Sequence, residues 1–134
     1  MIEVKNLSKQ FKAPTDEKGL FGPKKKSFWA VKDLNFDIKK GSVASILGPN
    51  GCGKTTTLRM IAGMLTPSKG TAFVDSVDVR KDKQTVKSKI GYMTNNTSLY
   101  DRLSVIETIK FFAELNQISA DIYMPRAEKL FDQL

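Results

Sequence analysis

Residues 42–65 read SVASILGPNGCGKTTTLRMIAGML, and the fold turns on this stretch. Val43, Ala44, Ile46 and Leu47 form a short apolar run closed by Gly48, the pattern of a strand buried on both faces. Beyond Gly53, Leu58, Ile61, Ala62 and Leu65 recur at helical spacing, and Gly63 with Thr66-Pro67 marks the end of that helix. Between the two lies Gly48-Pro49-Asn50-Gly51-Cys52-Gly53-Lys54-Thr55, which fits G-x-x-x-x-G-K-[ST]. Strand, glycine loop and helix thus follow without a gap, the context that gives the motif its meaning.

The chemistry of a phosphate loop accounts for each residue type. Glycines at 48, 51 and 53 let successive backbone N–H groups turn inward without a side chain in the way. The following helix adds its N-terminal N–H groups and the positive end of its dipole. Lys54 is placed to reach the β and γ phosphates, the Thr55 hydroxyl to ligate Mg²⁺ beside them, and Thr56 to donate to the α phosphate. Cys52 reads as a small residue with a steric role; a reactive thiol beside Lys54 is the alternative.

Upstream, Ile2, Val4 and Leu7 alternate with charged residues and predict a half-exposed strand running toward Phe11. Val31, Leu34, Phe36 and Ile38 predict a second. Between these, residues 12–27 (KAPTDEKGLFGPKKKS) carry two Pro, two Gly and a KKK run and read as a loop or a protruding hairpin. Downstream, GTAFVDSVDV predicts another strand or hairpin, KDKQTVKSK a helical connector and IGYM a short strand. Ser104 with Glu107 forms a capping-box signature, followed at helical spacing by Val105, Ile106, Ile109, Phe112 and Ala113. A last helical stripe is Met124, Ala127, Leu130, Phe131 and Leu134. Both stripes read as core.

Composition narrows the function classes. The 134 residues are 40% hydrophobic and 27% charged, with no run long enough to span a bilayer and no secretory pattern at the N-terminus. A single cysteine cannot form an internal disulfide, and the absence of His excludes any imidazole base within the chain. Charge is uneven. The net +8 arises as +5 over residues 1–40, +5 over 41–90 and −2 over 91–134, so the first two-thirds suits an anionic partner.

Taken together, AVKDLNFDIKKGSVASIL, GPNGCGKTTTLRMIAGMLTPSKGT and the Gly63-Leu65-Pro67-Gly70 turn resemble the N-terminal part of an ATP-binding-cassette (ABC) transporter ATPase. IGYMTNNTSLYDRLSVIET resembles the stretch that follows in that family, in wording closest to sodium-efflux exporters. The resemblance implies an α/β fold of the P-loop NTPase type: an antiparallel β part plus a strand-loop-helix core, with the C-terminal part absent. It implies ATP and Mg²⁺ as ligands of Gly48, Pro49, Asn50, Gly51, Cys52, Gly53, Lys54, Thr55 and Thr56. It also implies an adenine-stacking aromatic at the end of the first strand, which is Phe11, with Phe28 or Trp29 as rivals because residues 12–27 read as an insertion. The family's Mg²⁺-touching glutamine falls on Asn95, whose amide is one methylene shorter; Asn96 is its neighbour and alternative. Residues 95–103 then match the segment that faces a transmembrane permease, with Leu99 and Tyr100 as apolar candidates.

The family's LSGGQ-like signature, its apolar strand ending in Asp-Glu and its switch histidine do not occur in this sequence after residue 95. The chain alone is therefore expected to bind nucleotide without efficient hydrolysis, since phosphoryl transfer needs a positioned water as well as charge stabilisation. The full-length protein is expected to be a transport-coupled ATP hydrolase. It would pair with a second ATPase subunit and a permease, lie peripherally on the cytoplasmic face of the cell membrane, and drive export of Na⁺ or a small molecule. A different class is a non-transport ABC-type ATPase using Lys24–Lys26, Phe28 and Trp29 on nucleic acid; a further reading sets the insert against anionic lipid. Length changes meaning with the family: 134 residues are about half a domain, and the helices after residue 104 are expected to leave apolar surface exposed.

Overall fold

The computed structural model describes the backbone of residues 1–19, 22–93 and 102–134, and the side chains of these except 13–19 and 22–25. Two compact units emerge, Met1–Tyr92 and Met93–Leu134.

The first unit is built on an antiparallel sheet of strands β1 (Ile2–Gly19), β2 (Gly22–Ile38), β3 (Lys69–Val74) and β4 (Val77–Asp78), in the order β2-β1-β3-β4. The alternation at Ile2, Val4 and Leu7 sets which side faces inward, and Val4 and Leu7 are buried. With Val31, Ala72, Val74 and Val79 they make a core closed by Met60 and Ile61 of helix α1 (Lys54–Ile61) and Val86 of helix α2 (Lys83–Lys89). The connector forms the expected helix, and Asp82 caps it by accepting from the Thr85 N–H.

β1 and β2 pair well beyond the rest of the sheet. Strand β3 accompanies β1 only from Ile2 to Ser8, whereas β1 and β2 remain in register out to Gly19 opposite Gly22. Residues 12–19 and 22–27 therefore lie in paired strands. Bulges set their departure. Asn6 and Asp33 both have φ 49°, and the buried Ser8 hydroxyl donates to the Asn6 carbonyl at 3.1 Å and accepts from the Asp33 N–H at 2.9 Å.

Helix α1 ends as the sequence predicts, at Gly63. The Gly63 N–H bonds to the Met60 carbonyl and the Met64 N–H to the Arg59 carbonyl, a Schellman closure around a residue with φ 69°. The expected face is largely the buried one: Ile61 and Ala62 are buried and Leu65 packs against the core, joined by Thr57 and Met60, and of the four expected positions Leu58 alone departs, at 46% exposed.

Two expected strands are not formed. Residues 43–47 pair with no strand, and Val43 and Leu47 are 98% and 90% exposed. A strand buried on both faces exists only where flanking strands satisfy its backbone, and the described residues place none beside it. The IGYM segment is likewise without strand pairing across residues 90–93.

The second unit pairs α3 (Val105–Leu115) with α4 (Ala120–Phe131). The capping box is present: the Ser104 side chain accepts from the Glu107 N–H, and Glu107 accepts from the Ser104 N–H at 2.8 Å. The expected core stripes are mostly bare. Among the described residues of this unit Thr108, Ala113 and Ala127 are buried, whereas Val105, Ile106, Phe112, Leu130, Phe131 and Leu134 are exposed. Two helices alone cannot cover stripes on both of their apolar faces, which agrees with the apolar exposure expected for a half-domain.

Candidate phosphate-binding site

The site grows from the junction between the bulged hairpin and α1. Lys9 pairs with Val31 but Gln10 pairs with Trp29, so Ala30 is the extra residue of a bulge in β2. Ala30 and the buried Val31 sit against Gly53, the N-cap of α1, which has φ 95°. A Cβ on Gly53 would collide with the Ala30 carbonyl oxygen and approach Val31 Cγ2 to 2.9 Å, so this close approach requires glycine.

From Gly53 the loop folds over its own lysine. Lys54 Nζ donates to the Gly48 carbonyl at 2.7 Å and the Pro49 carbonyl at 2.8 Å, with Cys52 Sγ 3.9 Å away. Cys52 is exposed, and its sulfur lies 2.6 Å from where a Cβ at Gly48 would stand. The backbone is pinned downstream by the Thr57 N–H on the Gly53 carbonyl at 2.8 Å. Thr55 is exposed and Thr56 half-buried in the first turn of α1. Gly48, Pro49, Asn50, Gly51, Cys52, Gly53, Lys54, Thr55 and Thr56 are thus one contiguous, open rim around an ammonium and a helix N-terminus.

This donor set suits a phosphate chain: an ammonium that bonds only neutral backbone carbonyls and the Cys52 sulfur among the described residues, amide N–H groups of a glycine-rich loop, and a helix start. Mg²⁺ fits less independently. Among the described residues no group of three or more His, Cys, Asp or Glu could hold a metal, so an ion here would be shared between Thr55 and the phosphates it accompanies. Asn95, with Asn96, Leu99 and Tyr100, lies outside the described residues.

The aromatic candidates come together rather than competing. Phe11 and Phe28 are directly opposed on β1 and β2, with ring centroids 5.9 Å apart and planes tilted by 33°. Phe11 is half-buried and Phe28 51% exposed. Two cations that sequence reading did not single out complete the group: Lys9 Nζ stands 5.3 Å from the Phe11 ring centroid and Lys69 Nζ 5.5 Å from that of Trp29. The lysines could have been found only from strand register, because Lys69 reaches Trp29 from another strand.

The glycine loop running into α1 carries the P-loop sequence on an α/β unit. The chain belongs to the ABC transporter family, whose profile matches residues 31–134. It is 43% identical over 117 residues to the ABC transporter ATP-binding protein NatA of Bacillus subtilis, covering 87% of this chain and 48% of that one. It is 32% identical over 118 residues to the human phospholipid-transporting ATPase ABCA3, covering 88% of this chain and 6% of that one. The solved dimeric bacterial ABC transporter cassette MJ0796 superposes with a TM-score of 0.74 at 27% identity, over 96% of this chain and 55% of that one. The chain therefore spans about half the length of NatA. Among the described residues no helix is long and apolar enough to cross a membrane.

Proposed function

We propose that this chain is the nucleotide-binding first half of an ABC transporter ATP-binding subunit, taking MgATP through residues 48–56. The observation that carries this reading is Lys54, whose ammonium bonds the Gly48 and Pro49 carbonyls over a loop running straight into α1. Cation, glycine-freed amides and helix N-terminus converge where a triphosphate would lie. Lys54, which now bonds the Gly48 and Pro49 carbonyls, and the backbone amides of 51–56 would hold the phosphates, and the Thr55 hydroxyl would be a ligand of the accompanying Mg²⁺. The Phe11–Phe28 pair offers the base an aromatic face. The ion supplies charge neutralisation on the β and γ phosphates when bound; Asn95 is its proposed second ligand.

The loop contains no carboxylate to position a water, and the sequence has no His. Binding without efficient turnover follows for this chain, with hydrolysis belonging to a complete cassette that pairs with a second copy and couples to a membrane permease on the cytoplasmic face. Identity to NatA and the wording of residues 94–103 support an export cassette for Na⁺ or a small molecule.

Fluorescent-nucleotide titration tests the site. Lys54→Ala should weaken ATP binding roughly tenfold or more, the worth of a charge-assisted contact. Unchanged affinity would overturn the assignment. Steady-state phosphate release by this chain at saturating MgATP should be negligible; vigorous release would place a water-activating group within these residues and sink the half-site reading.

A further inference from the structure

The phosphate loop uses little of the basic excess between residues 41 and 90. Lys54 and Arg59 lie in the loop and α1, but Lys69, Arg80, Lys81, Lys83, Lys87 and Lys89 all come after them. Arg80 and Lys81 stand in the turn between β4 and α2, and with Lys5, Asn6, Thr71 and Asp78 they line an open groove of about 490 Å³. Alternation places it. Val4 and Ala72 are buried in the core that α1 closes, so Lys5 and Thr71, one step along and paired with each other, lie on the other face of the sheet.

The turn that carries the two cations is held from within. Asp78 accepts from the Thr71 hydroxyl at 2.6 Å and the Arg80 N–H at 2.8 Å, and its backbone carbonyl accepts from the Lys81 and Asp82 N–H groups, each at 3.1 Å. The Arg80 guanidinium donates to the Gly70 carbonyl at 3.2 Å, which ties the turn to β3. That acceptor is neutral, and the bond takes one of the five N–H donors a guanidinium carries. Among the described residues no ion pair engages Arg80 or Lys81, and Lys81 Nζ makes no hydrogen bond. Lys5 is offset by Glu3, 2.7 Å away. Lys5, Arg80 and Lys81 against Asp78 and Glu3 still leave the groove net positive, with its open donors on Arg80 and Lys81.

A planar fork with spare donors beside an unpaired ammonium suits a group with several charged oxygens, which is what a phosphate presents; a carboxylate would occupy the fork alone. Nucleic acid would need cations repeated along a track and aromatic faces for its bases, whereas these cations gather at one concavity that no aromatic lines among the described residues. We propose that this groove binds a small phosphate-bearing anion, chiefly through Arg80 and Lys81 and with Lys5 in support. None of residues 48–56 takes part, so the groove stands whether or not the loop binds nucleotide.

Titration of the isotope-labelled chain with inorganic phosphate, followed amide by amide in NMR spectra, tests this against sodium chloride at matched ionic strength. The amides of Asn6, Thr71, Arg80 and Lys81 should shift together and saturate. Lys81→Gln removes an ammonium that has no partner to lose and should weaken binding about threefold; adding Arg80→Gln should bring the loss to roughly tenfold or more. Asp78→Asn should tighten binding, because the amide oxygen still accepts within the turn while the negative charge beside the anion is gone. Lys54→Ala should leave these four amides responding as before, which separates the groove from the phosphate loop. Glycerol 3-phosphate and vesicles of phosphatidylcholine containing phosphatidic acid distinguish the source: a response to the soluble ester alone assigns a free phosphate compound, and broadening of the same amides by the vesicles assigns a headgroup. Shifts that never saturate, that chloride reproduces, or that survive replacement of Arg80 and Lys81 would each overturn the proposal.

Discussion

Gly53 shows how much geometry one residue without a side chain can fix. At φ 95° it joins a bulge in β2 to the start of α1, in a space where the Ala30 carbonyl leaves no room for a Cβ. Gly53→Ala should therefore cost about 1–2 kcal/mol for the left-handed backbone alone, and more for the collision, read as a lowered melting temperature. The motif makes this glycine legible in the sequence, but its contact with Ala30 is not, because a bulge is a property of pairing. Phe11 and Phe28 teach the same lesson. Spacing along the chain sets them up as rivals for one role, and the register of β1 against β2 makes them neighbours.

Elements were legible where the signal is local. The capping box at Ser104 and the helix end at Gly63 each involve residues within a few positions of one another, and both are present. Residues 43–47 were misread because an apolar run reports a preference for burial without naming the partner that would provide it. Consequently Val43→Ser should change the stability of this chain by no more than about 0.5 kcal/mol, as for any exposed position. A loss of several kcal/mol in chemical denaturation would mean the run is packed. Helix α3 gives a pH prediction. The Ser104 hydroxyl, and then its backbone N–H, bond the Glu107 carboxylate and hold its pKa below the usual value. A carboxylate depressed in the folded state stabilises above its unfolded pKa of about 4.3, and the contribution disappears as pH falls through the folded value. Helicity followed by circular dichroism should therefore drop on acidification below that range. Glu107→Gln, which keeps a side-chain acceptor, should flatten the drop, and an unaltered acid limb would show that the box does not govern it.

At the scale of the whole molecule, apolar surface remains on both units: Val43 and Leu47 in one, and Val105, Phe112, Leu115, Leu130 and Phe131 in the other. Patches of this kind drive association, so sedimentation equilibrium should find concentration-dependent oligomers and a hydrophobic dye should bind the native chain. A strictly monomeric, dye-silent protein would contradict that expectation. The general α/β architecture and the phosphate loop could be read from the sequence, because glycine spacing and alternation are encoded residue by residue. Which surfaces stay uncovered could not, because that depends on the strands and helices available to lie on them. One mechanical consequence arises at the phosphate loop. It is a cantilever, wedged at Gly53 and free along 43–47, with the Lys54 bonds to Gly48 and Pro49 as stays. A ligand that captures the ammonium slackens those stays, and any strand that came to rest beside 43–47 would brace the free limb. Whatever effect occupancy of the loop has on the pairing of 43–47, linkage requires that pairing to alter the loop's affinity by the same factor.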